Sequence, residues 1–211
     1  LGLNSILKAS VKEPVEMYLN DFDNNGTIDQ IICSYQNGIS YPVASLDQLL
    51  SQISGLEKKF TDYHSFGGKT AKDIFGWKTL SESVLKKAEM FESCLFLNDG
   101  KGVFTISKLP PEAQFSTVRD ILAHDLDNDG KIDILLVGND YTSKPSYGRQ
   151  DASYGLCLMN EGTEFVPLRP GDSGFRVMGD ARKISIMQSV EKQYVVVGVN
   201  DEDMQVFEQK K

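Results

Sequence analysis

Asp21-Phe22-Asp23-Asn24-Asn25-Gly26-Thr27-Ile28-Asp29 returns later in the chain as Asp125-Leu126-Asp127-Asn128-Asp129-Gly130-Lys131-Ile132-Asp133. Each copy runs straight into a β-branched, apolar stretch, Ile28–Tyr35 in the first case and Ile132–Val137 in the second. A turn and an aromatic follow each: Asn98-Asp99-Gly100 with Phe104, and Asn160-Glu161-Gly162 with Phe165. From first Asp to turn Asn the spacing is 77 residues in one copy and 35 in the other, and the excess matches a helical segment inserted between strands. A third, degenerate copy lacks the acidic loop: Ile134-Leu135-Leu136-Val137-Gly138-Asn139-Asp140 is echoed by Val195-Val196-Val197-Gly198-Val199-Asn200-Asp201. Repetition at this scale means repeated supersecondary units.

Around these repeats, short segments rich in Val, Ile, Phe and Tyr alternate with Gly, Asn and Asp turns, the pattern of an all-β chain. Strands are expected at Val15–Leu19, Ile28–Tyr35, Ile39–Val43, Cys94–Leu97, Val103–Lys108 and Thr117–His124. Further strands are expected at Ile132–Val137, Gly155–Met159, Phe165–Leu168, Lys183–Gln188, Tyr194–Val199 and Met204–Glu208. The insertion, residues 45–92, changes period. Ser45 with Gln48 forms a capping box ahead of an apolar stripe of Leu46, Leu49, Leu50, Ile53, Leu56 and Phe60, which predicts one helix over 46–61. Thr79 with Glu82 predicts a second helix with Leu80, Val84, Leu85, Ala88 and Phe91 inside, and a short helix is expected near Thr70–Phe75. Units of about four short strands suit propeller blades better than a sandwich. The fold expected is therefore mainly β, a partial β-propeller of about three blades spanning 1–211, with an α-helical insertion in the first blade. Its units are 15–108, 115–168 and 175–208. Three blades do not close a ring, so remaining blades of a longer chain, or a second copy, are expected partners.

In the pattern D-x-D-x-[DN]-G-x-x-D, alternate oxygens converge because the loop winds around a point. Hard oxygen donors in that arrangement suit Ca²⁺, which accepts six to eight of them in flexible geometry. Asp21, Asp23, Asn25 and Asp29 are the expected side-chain ligands of one structural ion, with the Thr27 carbonyl. Asp125, Asp127, Asp129 and Asp133, with the Lys131 carbonyl, are those of a second. Gly26 and Gly130 permit the sharp turn. An EF-hand is excluded, because its twelfth position must be a bidentate Glu and here it is Ile32 or Leu136.

At these residues the chain resembles the FG-GAP/VCBS-repeat proteins, whose propeller blades carry D-x-D-x-D-G-x-x-D loops like those of integrin alpha chains. The hairpin Phe96-Leu97-Asn98-Asp99-Gly100-Lys101-Gly102-Val103-Phe104 is similar to that family's N-x-G-x-G-x-F segment. The resemblance covers most of 15–168 and is weaker over 175–207. It implies a secreted, periplasmic or cell-surface protein with structural calcium, used for adhesion or glycan binding.

Composition agrees with a globular chain. Of 211 residues, 22 are basic and 30 acidic, giving a net charge of −8, and an acidic balance excludes a nucleic-acid partner, which needs surplus Lys and Arg. Seven of the acids are the loop aspartates, so two bound Ca²⁺ would cancel half of the net charge. No apolar run is long enough to insert in a membrane. Cys33, Cys94 and Cys157 sit in apolar runs and read as buried thiols, not a disulfide framework.

No catalytic constellation stands out. His64 and His124 read as structural or surface side chains, and no nucleophile elbow or phosphate-cradling loop is present. Trp77 reads as packing. The segment Asn139–Tyr154 carries Tyr141, Tyr147, Arg149 and Tyr154 among small polar residues, a composition suited to contacting a glycan or protein ligand. The function expected is a calcium-stabilised, non-catalytic binding or adhesion module. The alternative is part of a propeller-type polysaccharide lyase or hydrolase whose catalytic residues lie mostly elsewhere.

Overall fold

The computed structural model describes residues 2–143 and 148–209. Thirteen strands are found among them, arranged in four antiparallel sheets, none closed into a barrel. The chain divides into two compact units, residues 6–91 and residues 92–209, the latter joined by residues 2–5. The expected unit 15–108 therefore falls partly in each.

In the 6–91 unit, β1 (Val15–Asn20), β2 (Asp29–Gln36), β3 (Ile39–Pro42) and β4 (Val84–Ala88) form one sheet in the order β3-β2-β1-β4. One face of it carries Tyr18, Ile31 and Cys33, and helices cover that face. The capping box forms as expected: the Ser45 hydroxyl accepts from the Gln48 backbone and the Gln48 side chain accepts from Ser45 N–H. The helix it starts, α1 (Leu46–Gln52), is shorter than the sequence predicts. Gly55, at φ 86°, turns the chain, and a single 3₁₀ turn, Leu56–Lys58, follows. The apolar stripe survives the break: Leu46, Leu49, Ile53, Leu56 and Phe60 all lie in one core. Two short helices come next, α2 (Tyr63–Phe66), capped by Asp62, and α3 (Ala71–Phe75), capped by Thr70 where a helix is expected.

The second expected helix is largely wrong. α4 (Trp77–Glu82) begins after Gly76, not at Thr79, and stops at Glu82. Ser83 donates its hydroxyl to the Thr79 carbonyl at 2.8 Å, a competition with the helix ladder that favours ending it. The chain then becomes β4, which pairs with β1 from Val15↔Ala88 to Leu19↔Val84. Val84 and Leu85 are exposed rather than inward-facing, because the free edge of β1 offers backbone partners that a helix would forgo. Trp77 is 69% exposed, with the Lys72 ammonium 5.7 Å from its ring centroid, and is not core.

In the other unit, β7 (Val118–His124), β8 (Asp133–Gly138), β9 (Leu156–Asn160) and β10 (Phe165–Leu168) follow one another as a meander. All six residues of β8 are buried. Its two faces go to different cores: Leu135 and Val137 pack with Ile184, Val195 and Val197, while Ile134 and Leu136 pack with Ala113, Leu158 and Leu95. Burial on both sides explains the unbroken apolar run. β11 (Ala181–Gln188), β12 (Gln193–Val199) and β13 (Gln205–Glu208) make a three-stranded sheet, and β5 (Cys94–Asn98) pairs only with β6 (Phe104–Lys108). β3 lies beside β2 and β4 beside β1, so all four strands of that sheet come from the 6–91 unit, and β5 with β6 makes a separate two-stranded sheet. After β10 a single turn, α5 (Pro170–Ser173), leads on to β11.

Candidate metal-binding loops

Each acidic loop is the connection of a hairpin. Asn20↔Asp29 closes the first and His124↔Asp133 the second, so eight residues bridge each pair of strands. The backbone repeats as well as the sequence. Asn24 and Asn128 lie at φ 58° and 64°, and Gly26 and Gly130 at 87° and 86°. Asparagine is among the few side chains that tolerate this left-handed region, and glycine enters it without penalty.

Within each loop the carboxylates wrap the turn. Asp21 accepts from the backbone N–H groups of Asn25 and Gly26 at 2.9 and 2.8 Å, and Asp125 accepts from Asp129 and Gly130 at 3.1 and 3.0 Å. Asp23 accepts from Asn25 N–H at 3.2 Å, and Asp127 from Asp129 N–H at 3.1 Å. The ninth position is buried in both: Asp29 takes the Phe22 N–H at 3.0 Å and Asp133 the Leu126 N–H at 2.8 Å. These bonds draw Asp21, Asp23 and Asp29 together, and likewise Asp125, Asp127 and Asp133, with one carboxylate oxygen from each within 4.8 Å of the others. Three hard oxygens so placed can serve a divalent cation as a partial coordination sphere.

The fifth position of each loop is engaged by the residue two places on. Asn25 accepts from the Thr27 N–H at 2.8 Å and also from the Thr27 hydroxyl. Asp129 accepts from the Lys131 N–H at 2.8 Å and pairs with the Lys131 ammonium at 2.5 Å. That partner holds the Asp129 carboxyl below the usual Asp range and raises Lys131 in turn. Asp23 is also held low, chiefly by the Ser54 backbone N–H, with the Ser54 hydroxyl adding to it. Ser54 donates both groups to one Asp23 oxygen, at 2.9 and 2.8 Å. Neither Ser54 nor Gln52, whose side-chain amide donates to Asp29 at 3.2 Å, is signalled in the sequence, because their reach depends on where α1 ends.

The expected ligand-contacting residues are spread over a loop between β8 and β9. Tyr141 and Arg149 meet, the guanidinium lying 4.7 Å from the ring centroid, and Asp140 forms an antiparallel bridge with Gln150 beside them. Tyr154 instead carries Arg176, at 5.5 Å. Tyr147 lies outside the described residues. Asn139 anchors this loop from a buried position. Its side chain accepts from Ser116 and the Ser153 N–H and donates to the Ser153 and Gly179 carbonyls, at 2.8–3.0 Å.

Of the two histidines, His64 is exposed on α2 and His124 shares a 3.2 Å hydrogen bond with Gln193. All three cysteines are free; Cys33 and Cys157 are buried, and burial pushes their thiols up to about 12 and about 11. Cys94 is only half-buried. No protein-family model matches the chain, and neither a curated protein nor a solved structure is detectably similar to it.

Proposed function

We propose that the protein is a calcium-stabilised, non-catalytic binding module of an exported or cell-surface protein, with a glycan or a protein as its ligand. The observation that carries this reading is the pair of aspartate triads held at equivalent positions of two hairpins by the same backbone turns. Carboxylates brought this close repel one another, and a bound dication removes the repulsion. Calcium suits the loops better than magnesium, which demands near-ideal octahedral geometry and gives up its waters reluctantly. Weak sites of this kind suit a compartment where calcium is abundant, hence the location proposed. The sheets β4-β1-β2-β3, β7–β10 and β11–β13 are, on this reading, successive propeller blades, and further blades or a second copy complete the ring.

Thermal melting of the full chain in millimolar Ca²⁺, in Mg²⁺ and in excess chelator tests the reading. Calcium at about a hundred times Kd stabilises the state it binds by about 2.7 kcal/mol per site, an increase of several degrees. Equal melting in all three conditions would refute a structural calcium.

A further inference from the structure

The 6–91 unit has a concavity that the sequence does not announce. An open groove of about 520 Å³ lies between the β2–β3 hairpin and the segment joining α2 to α3. That volume falls within the range of small-ligand sites. Tyr41 and Pro42 of β3 and Phe66 of α2 supply its apolar surface, and Gln36, Asn37 and Lys69 its polar groups.

Its walls are rigid for identifiable reasons. Asn37 and Gly38, at φ 53° and 81°, form the two-residue turn that best matches the twist of paired strands. Phe66 is fixed edge-on against Phe60, ring centroids 5.6 Å apart at 85°. Capping boxes at Asp62 and Thr70 pin the helices on either side of Lys69.

The groove's polar groups are unspent. Among the described residues, the side chains of Gln36, Asn37, Tyr41 and Lys69 make no hydrogen bond or ion pair. Asp73, in the first turn of α3, is near enough to feel the Lys69 charge but makes no ion pair with it; its carboxylate accepts from Thr70. The lining thus offers two amides, a phenol, one ammonium and no carboxylate, in a chain whose net charge is −8.

We infer that this groove binds a glycan bearing a hexuronic acid. The sugar ring's C–H face lies on Tyr41 and Phe66, its hydroxyls bond the Gln36 and Asn37 amides, and its carboxylate meets Lys69. In the loop after β8 the rings of Tyr141 and Tyr154 each have one face taken by a guanidinium, from Arg149 and Arg176. The inference rests on the binding-module reading and moves its ligand from that loop to the groove.

The test is amide chemical-shift mapping of the full chain, calcium present, titrated with tetramers of galacturonate, mannuronate and glucuronate-containing glycosaminoglycan, with neutral cellotetraose as comparison. At least one uronate tetramer should shift resonances of 36–42 and 66–69. Tyr41→Ala should weaken that binding about tenfold or more, as loss of a stacking aromatic does. Lys69→Gln should weaken it about threefold or more and flatten its salt dependence, since the contact is a screened charge pair. Tyr141→Ala and Arg149→Ala should leave it within about twofold. Shifts confined to 139–143 and 148–155 would overturn the groove assignment while keeping the binding module. Absence of binding to every uronate tetramer, with calcium still raising the melting temperature, would overturn the inference alone. Equal affinity for cellotetraose would overturn the role given to Lys69.

Discussion

The two acidic loops have the same length, the same left-handed positions and the same internal hydrogen bonds, yet different elements brace them from outside. In the second loop, the other oxygen of Asp133 takes the backbone N–H of Asn160 at 2.8 Å, from the strand beside it. In the first loop the corresponding oxygen of Asp29 takes the Gln52 side chain, and Asp23 takes Ser54. Both come from the insertion. The meander β7–β10 supplies its own support because β9 lies next to β8, whereas β2 has β3 beside it and the chain end of α1 reaches back instead. A repeated motif therefore keeps its internal geometry while its supporting groups are replaced by whatever the local topology brings near.

The sharpest way to break this comparison is at the buried ninth position. Asp133→Ala removes an acceptor from two backbone donors at a residue 1% exposed, and unsatisfied buried groups of this kind cost about 2–4 kcal/mol together. Measured by urea unfolding in chelator, so that metal plays no part, it should be the largest loss among the loop variants. Asp29→Ala should lose less, since one of its partners is a Gln52 side chain that can turn to water.

Next in size is the difference at the fifth position. Asn25→Asp adds a carboxylate to the first loop, and Lys131→Gln frees Asp129 in the second. A unit charge about 4 Å from a divalent ion contributes about 2 kcal/mol in water-like surroundings, so each change should tighten calcium about thirtyfold. Calorimetric titration checks both; an unchanged Kd for each would show that the fifth position lies outside the coordination sphere.

The acid limb distinguishes the loops more finely. Asp23 and Asp129 are both held below the ordinary Asp value of 3.8. A lowered folded-state value contributes stability that is intact above the unfolded value and lost as pH falls through the folded one. Stability should therefore decline below about pH 4, where unfolded Asp begins to take up protons. Ser54→Ala should reduce the Asp23 part and Lys131→Gln the Asp129 part, each read as a shift of the acid midpoint. Ser54→Ala has the smallest expected effect at neutral pH, about a degree in melting temperature, and none on calcium binding by the second loop.

Much of this was legible in the sequence, for physical reasons that also mark where legibility ended. Strands announced themselves where apolar alternation or a doubly buried run left no other use for the residues, as at Ile134–Val137. The loops were legible because Asn and Gly at fixed positions dictate the backbone. β4 was not, since Leu80, Val84, Leu85 and Ala88 fit a helical face equally well and only the open edge of β1 decides between the two. The break at Gly55 was obscured because the apolar stripe is buried whether or not the helix continues. Ser54, Gln52 and the Tyr41–Phe66 groove depend on tertiary placement, for which no local spacing is a guide.

Calorimetric titration of the chelator-stripped full chain with Ca²⁺ tests the central claim most directly. Two binding events are expected, one lost in Asp21→Asn and the other in Asp125→Asn, each accompanied by a smaller calcium-induced rise in melting temperature. No heat of binding and no change in melting with calcium, in a chain whose folding is verified by circular dichroism, would contradict it.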